Sequence, residues 1–450
     1  MVIIMKKYDV IYIGSGHAAW HGGLILKSAG KSVLIIEKEL CGGTCTNYGC
    51  NAKILLDGPY ELADAVDRYE GIGKGSDFTV DWPSLMKFKK QLISQFPLGL
   101  EAMFNQAGFD LVKGKASLKD SHTVAVGDEE YYGENIVIAT GEDPVQLDVE
   151  GKEYLKDSRD FLSVDELPQK AIFVGAGIIS MEFASILAQA GSKVDILVHS
   201  DVVLRRFHQP YVQKLVEKLE KMNVTFHYNE NLASIVKVDE EYTVTAESGL
   251  SLTGDYVLGA TGRAPNLEGL GLDEVGVKYT KKGITVNSHM QTSVDNIYAS
   301  GDVVAKNIPK LTPTASFESN YIAMQILGNA DEIEYPVVPH VVYTLPRIAT
   351  VGVTVSEAKE NNEYTVTEIP YGQTTGFETK NEPDASIMLV TNTKKEIVGA
   401  ELYNADADNL INLFTIIINK KITVDELRGM IFAFPGITSA VLDTIGMSVQ

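Results

Sequence analysis

Val10-Ile11-Tyr12-Ile13-Gly14-Ser15-Gly16-His17-Ala18-Ala19 reads as a strand that runs through G-x-G-x-x-A into a helix. Gly30 ends that helix, Lys31-Ser32-Val33-Leu34-Ile35-Ile36 forms the next strand, and Glu37 stands at its end. Each piece has a task. Gly14 makes the tight turn, Gly16 lets the backbone approach a pyrophosphate, Ala18 and Ala19 open the helix, and its N-terminus faces the phosphates. Glu37 accepts hydrogen bonds from a ribose, with Lys38 beside it. A lone G-x-G-x-x-A says little, but strand, helix, strand and terminal acid in register define a dinucleotide-binding fold.

The pattern recurs downstream. Lys170-Ala171-Ile172-Phe173-Val174 leads into Gly175-Ala176-Gly177-Ile178-Ile179-Ser180, a helix that Gly191 stops, and a second strand, Lys193 to Val198. This strand ends in His199-Ser200 with no acid, and Arg205 and Arg206 follow. A missing carboxylate with arginine nearby suits a 2′-phosphate, so NADPH is favoured, with NADH possible.

Between the two folds lies Gly42-Gly43-Thr44-Cys45-Thr46-Asn47-Tyr48-Gly49-Cys50. Cys45 and Cys50, at a helix start, can close a small disulfide ring, and the partial positive charge there favours thiolate. Buried residues or metal ligands are the alternative reading of two cysteines. The chain has three cysteines in 450 residues, and no His or Cys pair is spaced to complete a zinc site. A redox pair following the first nucleotide fold implies an electron path. Hydride enters from a nicotinamide, a flavin held by the first fold relays it, and a disulfide receives it.

Size and composition bound the rest. A chain of this length holds roughly two to four domains. At 45% hydrophobic and 22% charged it is globular, and a net charge of −21 argues against nucleic acid or anionic membrane as partner. Three cysteines make no secreted disulfide framework. Met1 to Lys7 lacks the parts of a signal peptide, and Leu410 to Ile418 is too short to span a bilayer. The expected compartment is the reducing cytoplasm, where a cysteine pair is catalytic rather than structural.

In these motifs the chain resembles the class I pyridine nucleotide-disulfide oxidoreductases, a family that includes glutathione reductase, dihydrolipoamide dehydrogenase and mercuric reductase. The resemblance covers essentially the whole chain, and 42–50 is its most specific element. Ala139-Thr140-Gly141 and Ala260-Thr261-Gly262-Arg263 look like the turns that leave the two nucleotide domains. Tyr298 to Asp302 resembles the second flavin-binding stretch, Leu311-Thr312-Pro313 the segment beside the flavin, and Val342 to Gly352 the opening of the dimerisation domain.

The resemblance implies an α/β fold with two Rossmann-like dinucleotide-binding domains and an α+β dimerisation domain. FAD would occupy 1–145 and 265–333, NAD(P)H 146–264, and the interface domain 334–450, assembling a homodimer. Cys45 would be the interchange thiol that attacks substrate, Cys50 the thiol against the flavin, and Lys53 with Glu182 a pair near flavin N5. Gly43, Thr44, Thr140, Gly141, Leu311, Thr312 and Pro313 would contact FAD, and Asp302 its ribityl chain. Gly175, Gly177, Ile178, Ile179, His199, Arg205, Gly262 and Arg263 would contact the cofactors' remaining parts. The acceptor implied is a small disulfide.

Five departures qualify the resemblance. The C-terminal His-Pro-Thr-x-x-Glu of the family aligns with Phe434-Pro435-Gly436-Ile437-Thr438-Ser439, so its general acid and the acid's orienting carboxylate are absent. Ile178 replaces a tyrosine that often gates the nicotinamide site. Cys41 intrudes before Gly42 and reads as a small buried hydrophobe, with an extra thiol as the alternative. Arg347 stands where the family often has an acid or proline. The proline usual before Lys53 is also Ala52. His17 reads as phosphate-proximal and His21 as packing. Because disulfide reduction needs a proton donor, two rivals stay open: a reductase of metal ions or quinones, and a redox-sensing flavoprotein of low turnover.

Between the nucleotide folds, the pattern predicts long helices at Asp57–Asp67 and Ser84–Gln106, the latter interrupted by Pro97.

Overall fold

A computed structural model describes residues 5–73 and 78–449. The N-terminal reading of Met1 to Lys7 lies partly outside these residues. Strand β1 (Lys6–Ile13) pairs in parallel with β2 (Val33–Glu37) on one side and with strand Glu129–Ile138 on the other. Helix α1 (His17–Ser28) makes the crossover between β1 and β2. All five residues of β2 are buried, as expected of a parallel strand covered on both faces. Ile297–Ala299 returns to the same sheet, in parallel beside Glu129–Ile138.

Gly14 shows why the turn after β1 is glycine. Its φ is +108°, and a Cβ there would sit 2.4 Å from the carbonyl oxygen of Ala139. Gly175 repeats this geometry in the second fold, with φ +102° and the Ala260 carbonyl oxygen 2.5 Å from a Cβ. Both carbonyls belong to the turns that close the two nucleotide-binding units, so each glycine lets two strand ends meet. The second sheet is parallel, in the order Val224–Tyr228, Lys193–Val198, Lys170–Val174, Tyr256–Gly259.

Helices α2 (Gly43–Tyr48) and α3 (Cys50–Asp67) follow β2 directly. Helix α3 begins seven residues before the predicted Asp57, because the motif's last cysteine is itself the first helical residue. The predicted helix over Ser84–Gln106 is two helices, α4 (Trp82–Ile93) and α5 (Phe96–Ala107). Pro97 stands in the first turn of α5, where a missing N–H costs no hydrogen bond, so it starts a helix rather than kinking one.

The C-terminal part is an antiparallel sheet in the order His340–Val342, Arg347–Gly352, Ile397–Asn404, Ser386–Asn392, Tyr364–Ile369. Helix Ala407–Asn419 lays Leu410, Ile411, Phe414, Ile417 and Ile418 onto that sheet. This spacing of three and four is that of a helix with one apolar face. The fold is thus α/β, with two Rossmann-like units and an α+β unit. Among the described residues, no helix is long and apolar enough to cross a membrane.

Candidate active site

The first nucleotide turn opens into a cleft of about 340 Å³. Its walls hold Gly14, Gly16, Ala18, Glu37, Lys38, Gly43, Thr44, Cys45, Cys50, Thr140, Gly141, Arg263, Asp302, Leu311 and Thr312. The sequence reading thus meets in one place from segments more than 250 residues apart. Ala19 lies behind the wall, fully buried in α1, and Gly262 accepts the Val145 amide at 3.0 Å next to the linking strands. Pro313 is in the first turn of helix Thr312–Ile326, whose N-terminus follows Leu311 at the cleft wall.

The cleft suits a dinucleotide. Gly16 and Gly43 face each other so closely that a Cβ on Gly43 would lie 3.0 Å from the Gly16 Cα. Two side-chain-free segments thereby leave backbone N–H groups open to a phosphate. Glu37 is buried, and its Oε2 accepts from the Ser15 amide at 3.0 Å and hydroxyl at 2.6 Å, while Oε1 accepts from the Glu39 amide at 2.7 Å. Ser15 also receives the Gly42 amide on its hydroxyl at 3.0 Å, tying the nucleotide turn to the cysteine segment. Sequence reading missed Ser15 because it stands in a variable position of the motif.

The two thiols sit where the α2–α3 turn meets helix Thr312–Ile326. Cys50 Sγ lies 3.6 Å from Thr312 Oγ1. The Cys45 thiol hydrogen-bonds to Cys50, which, with the Thr312 hydroxyl and the Lys53 cation, holds the Cys50 pKa below the ordinary thiol range against the opposing effect of burial. The same hydrogen bond, with burial, pushes Cys45 the other way. The two thiols are therefore shifted in opposite directions, Cys50 being the one held low.

Lys53, one turn along α3, reaches Glu182 Oε1 at 3.3 Å, and both side chains are about a tenth exposed, at 11% and 10%. Its ammonium also lies 3.6 Å from the centre of the Tyr343 ring, a cation–π contact. The Tyr343 amide donates to the same Glu182 oxygen at 2.9 Å. Behind this pair, Arg347 is 2% exposed and bonds Asp57 at 3.0 Å and Glu61 at 3.2 Å. Tyr343 and Arg347 are residues that the sequence reading did not place; their one signal is an arginine where an acid or proline is usual.

Among the other departures, Cys41 is fully buried, and Lys113 Nζ donates to its sulfur at 3.2 Å. Burial raises its pKa, which makes it a poor nucleophile. His17 lines the cleft and His21 stacks on Trp20, their ring nitrogens 3.0 Å apart. Phe434 is 77% exposed, while Ser439 is 2% exposed with its hydroxyl bonded to the Gly436 carbonyl at 2.9 Å. In the second Rossmann-like unit, Gly177 precedes Ile178 and Ile179 at the start of helix Ile178–Gln189, and His199 follows the strand end. Arg205 lines a separate, broader cavity with Arg206 and His340.

The fold and this site define a class: two dinucleotide units in one chain, with a polarised cysteine pair at the cleft of the first. The family model for pyridine nucleotide-disulphide oxidoreductases matches residues 8–319, and that for their dimerisation domain matches 338–445. The chain belongs to this family. It is an oxidoreductase, and its family binds FAD and uses pyridine nucleotides. Dihydrolipoyl dehydrogenase of Bacillus subtilis (strain 168) is 30% identical over 457 residues, covering 97% of this chain and 99% of the relative. Dihydrolipoyl dehydrogenase 3 of Haloarcula marismortui is 28% identical, covering 98% and 96%. Among solved structures, the HOCl-induced flavoprotein disulfide reductase RclA from Escherichia coli superposes with a TM-score of 0.89 at 24% identity, over 98% of this chain and 100% of that one. A Cu(II) complex of the same protein matches with a TM-score of 0.89 at 24% identity, over 99% and 100%.

Proposed function

We propose that the protein is a cytoplasmic homodimer that draws electrons from NADPH through FAD into Cys45/Cys50 and delivers them to a small disulfide. The observation that carries this reading is that Cys45 and Cys50 stand together in the wall of a glycine-lined cleft, with Cys50 Sγ 3.6 Å from Thr312 Oγ1. FAD, when bound, takes hydride and passes two electrons to sulfur.

The residues divide the work. Gly14, Gly16, Ala18 and Ala19 shape the turn for the pyrophosphate, and Glu37 and Lys38 serve a ribose. Gly43, Thr44, Thr140, Gly141 and the Leu311–Pro313 segment border the flavin, with Asp302 at its ribityl chain. Gly175, Gly177, Ile178, Ile179, His199, Arg205, Gly262 and Arg263 serve the pyridine nucleotide and the turn between the cofactors. The absence of an acid after Val198, with Arg205 nearby, favours the 2′-phosphate of NADPH.

In the oxidative half, the Cys45 sulfur, once deprotonated, attacks one sulfur of the substrate. A Cys45–substrate disulfide forms and the other substrate sulfur leaves as thiolate, taking a proton. Cys50 thiolate then attacks Cys45 Sγ, closing the Cys45–Cys50 disulfide and releasing the second substrate thiolate. Two electrons reopen the pair.

A second reading rests on Phe434. It offers no proton where the family places its acid, so acceptors that need no leaving-thiolate protonation fit the site as well. Soft metal ions, which thiolates bind, and quinones are such acceptors. NADPH oxidation by purified protein with glutathione disulfide, lipoamide, menadione, Hg(II) and Cu(II) decides between them. Turnover confined to menadione or metal ions discards the disulfide acceptor, and no turnover with any of them discards the reductase reading.

A further inference from the structure

Cys50, Lys53, Asp57 and Glu61 are spaced by three, four and four residues, so α3 presents them as one stripe. Glu182 and Tyr343 face Lys53, and Arg347 faces Asp57 and Glu61. Acidic and cationic groups alternate along the stripe: the Cys50 thiol, Lys53, Asp57 and, across from Asp57, Arg347. Arg347 and Asp57 are 2% and 1% exposed, whereas Glu61 is 48% exposed at the outer end. Asp408 closes the ring 3.4 Å from Arg347 Nε. The Arg347 guanidinium lies 5.3 Å from the centre of the same Tyr343 ring that carries Lys53 on it.

We infer that Arg347 is a positioning residue for Lys53: by engaging Asp57 and Glu61 it keeps the ammonium on Glu182 and the Tyr343 ring, and so beside Cys50. The physical reason is competition. Asp57 lies one helical turn beyond Lys53; burial already pushes its pKa up to about 6, and above that pH a buried carboxylate without a cation is costly. Without Arg347, Lys53 is the cation within reach of Asp57. Turning toward it would leave Glu182 and withdraw positive charge from Cys50. The stripe thus extends control of the Cys50 thiolate from the cleft to the sheet strand Arg347–Gly352, which belongs to the segment matched by the dimerisation-domain model.

The groups that face Cys50 and Lys53 are Cys45 from α2, Thr312 from its helix, Glu182 from helix Ile178–Gln189, Tyr343 from the turn before Arg347, and Asp57 from α3 itself. Of these, Asp57 is the carboxylate that both competes for Lys53 and pairs with Arg347. This gives the test a cycle. The inference rests on the reading that Cys50 is the thiolate of the pair, and the chosen measurement needs no bound cofactor.

In a Cys45→Ser background, alkylation of Cys50 by iodoacetamide is followed against pH by mass spectrometry. Arg347→Met should move the midpoint up by about half a pH unit or more, the sense expected when a cation leaves a thiolate. Adding Asp57→Asn should bring it back, because Lys53 then has no competing carboxylate. Arg347→Lys keeps a cation near Asp57 and should shift the midpoint less. Should Arg347→Met not fold, Arg347→Lys with and without Asp57→Asn makes the same comparison. An unmoved midpoint, or a shift that Asp57→Asn does not reverse, overturns the inference. A Cys50 midpoint in the parent no lower than that of a free thiol would instead overturn the reading of Cys50 on which it rests.

Discussion

Lys53 Nζ lies 3.3 Å from Glu182 Oε1, although 129 residues separate the two in the chain. The contact joins the helix that starts at Cys50 to the first helix of the second nucleotide unit. It thereby ties the thiol pair to the second Rossmann-like unit. Both side chains are almost out of solvent, so screening is weak and the pair can bias the charge on Cys50.

The protein should be yellow and bind one FAD per chain. Gly14→Val should abolish this, since even a Cβ at that position would lie 2.4 Å from the Ala139 carbonyl and the backbone φ is +108°. Flavin absorbance after reconstitution and gel filtration checks both statements. A Gly14→Val protein that folds and keeps stoichiometric flavin would show that this turn does not hold it.

NADPH should be the better donor. Arg205→Gln should lower kcat/KM for NADPH more than for NADH. Steady-state rates with the two donors test it. A tenfold preference of the unaltered protein for NADH, ~1.4 kcal/mol, would reverse the assignment.

Much of this was legible in the chain. The first nucleotide turn, the cysteine segment, Thr140–Gly141, Asp302 and Leu311–Thr312 converge on one cleft, and each is a local motif readable from a few consecutive residues. Lys53 and Glu182 meet as the resemblance implied. Ser15 escaped notice because its partners, Glu37 and Gly42, are 22 and 27 residues away and no local pattern marks a side chain that ties turns together. Arg347 escaped for a related reason. Its charge is meaningful only against Asp57, Glu61 and Asp408, which tertiary packing alone brings together. The interruption expected at Pro97 within Ser84–Gln106 is a restart, one helix ending at Ile93 and the next opening at Phe96 with Pro97 in its first turn; sequence alone does not separate a kink from a restart.

Stability should fall as pH rises towards neutrality, in part through Glu401. This residue is 3% exposed, and burial pushes its pKa up to about 7. His208, 3.6 Å away, is itself held below its ordinary pKa by burial and so gives little compensating charge. A carboxyl whose folded pKa is raised contributes stability that is full below its unfolded pKa and is lost as pH rises through the folded value. Melting temperatures should therefore decline from about pH 5 to about pH 7 and level off above it, and Glu401→Gln should flatten that decline. An identical slope in the variant would show that this carboxyl does not titrate in that window.

Disulfide turnover should be limited by proton supply. Phe434→His should raise turnover of glutathione disulfide or lipoamide, up to ~100-fold if the partner chain brings residue 434 to the thiols. Ser439→Glu, the change that would complete the family's pair, should instead destabilise the protein. Ser439 is buried and hydrogen-bonded to the Gly436 carbonyl, so a glutamate there would bury an unpaired charge. Turnover of the unaltered protein at a hundred or more per second, about the upper range of typical enzymes, would show that another proton donor is present.

Anaerobic titration with NADPH tests the central claim most directly. One equivalent per FAD should expose two titratable thiols and give a long-wavelength absorbance band from the Cys50 thiolate beside the flavin. Cys50→Ser should lose that band and Cys45→Ser should keep it. Flavin bleaching with no new thiols, or a band that survives in both variants, would contradict the account.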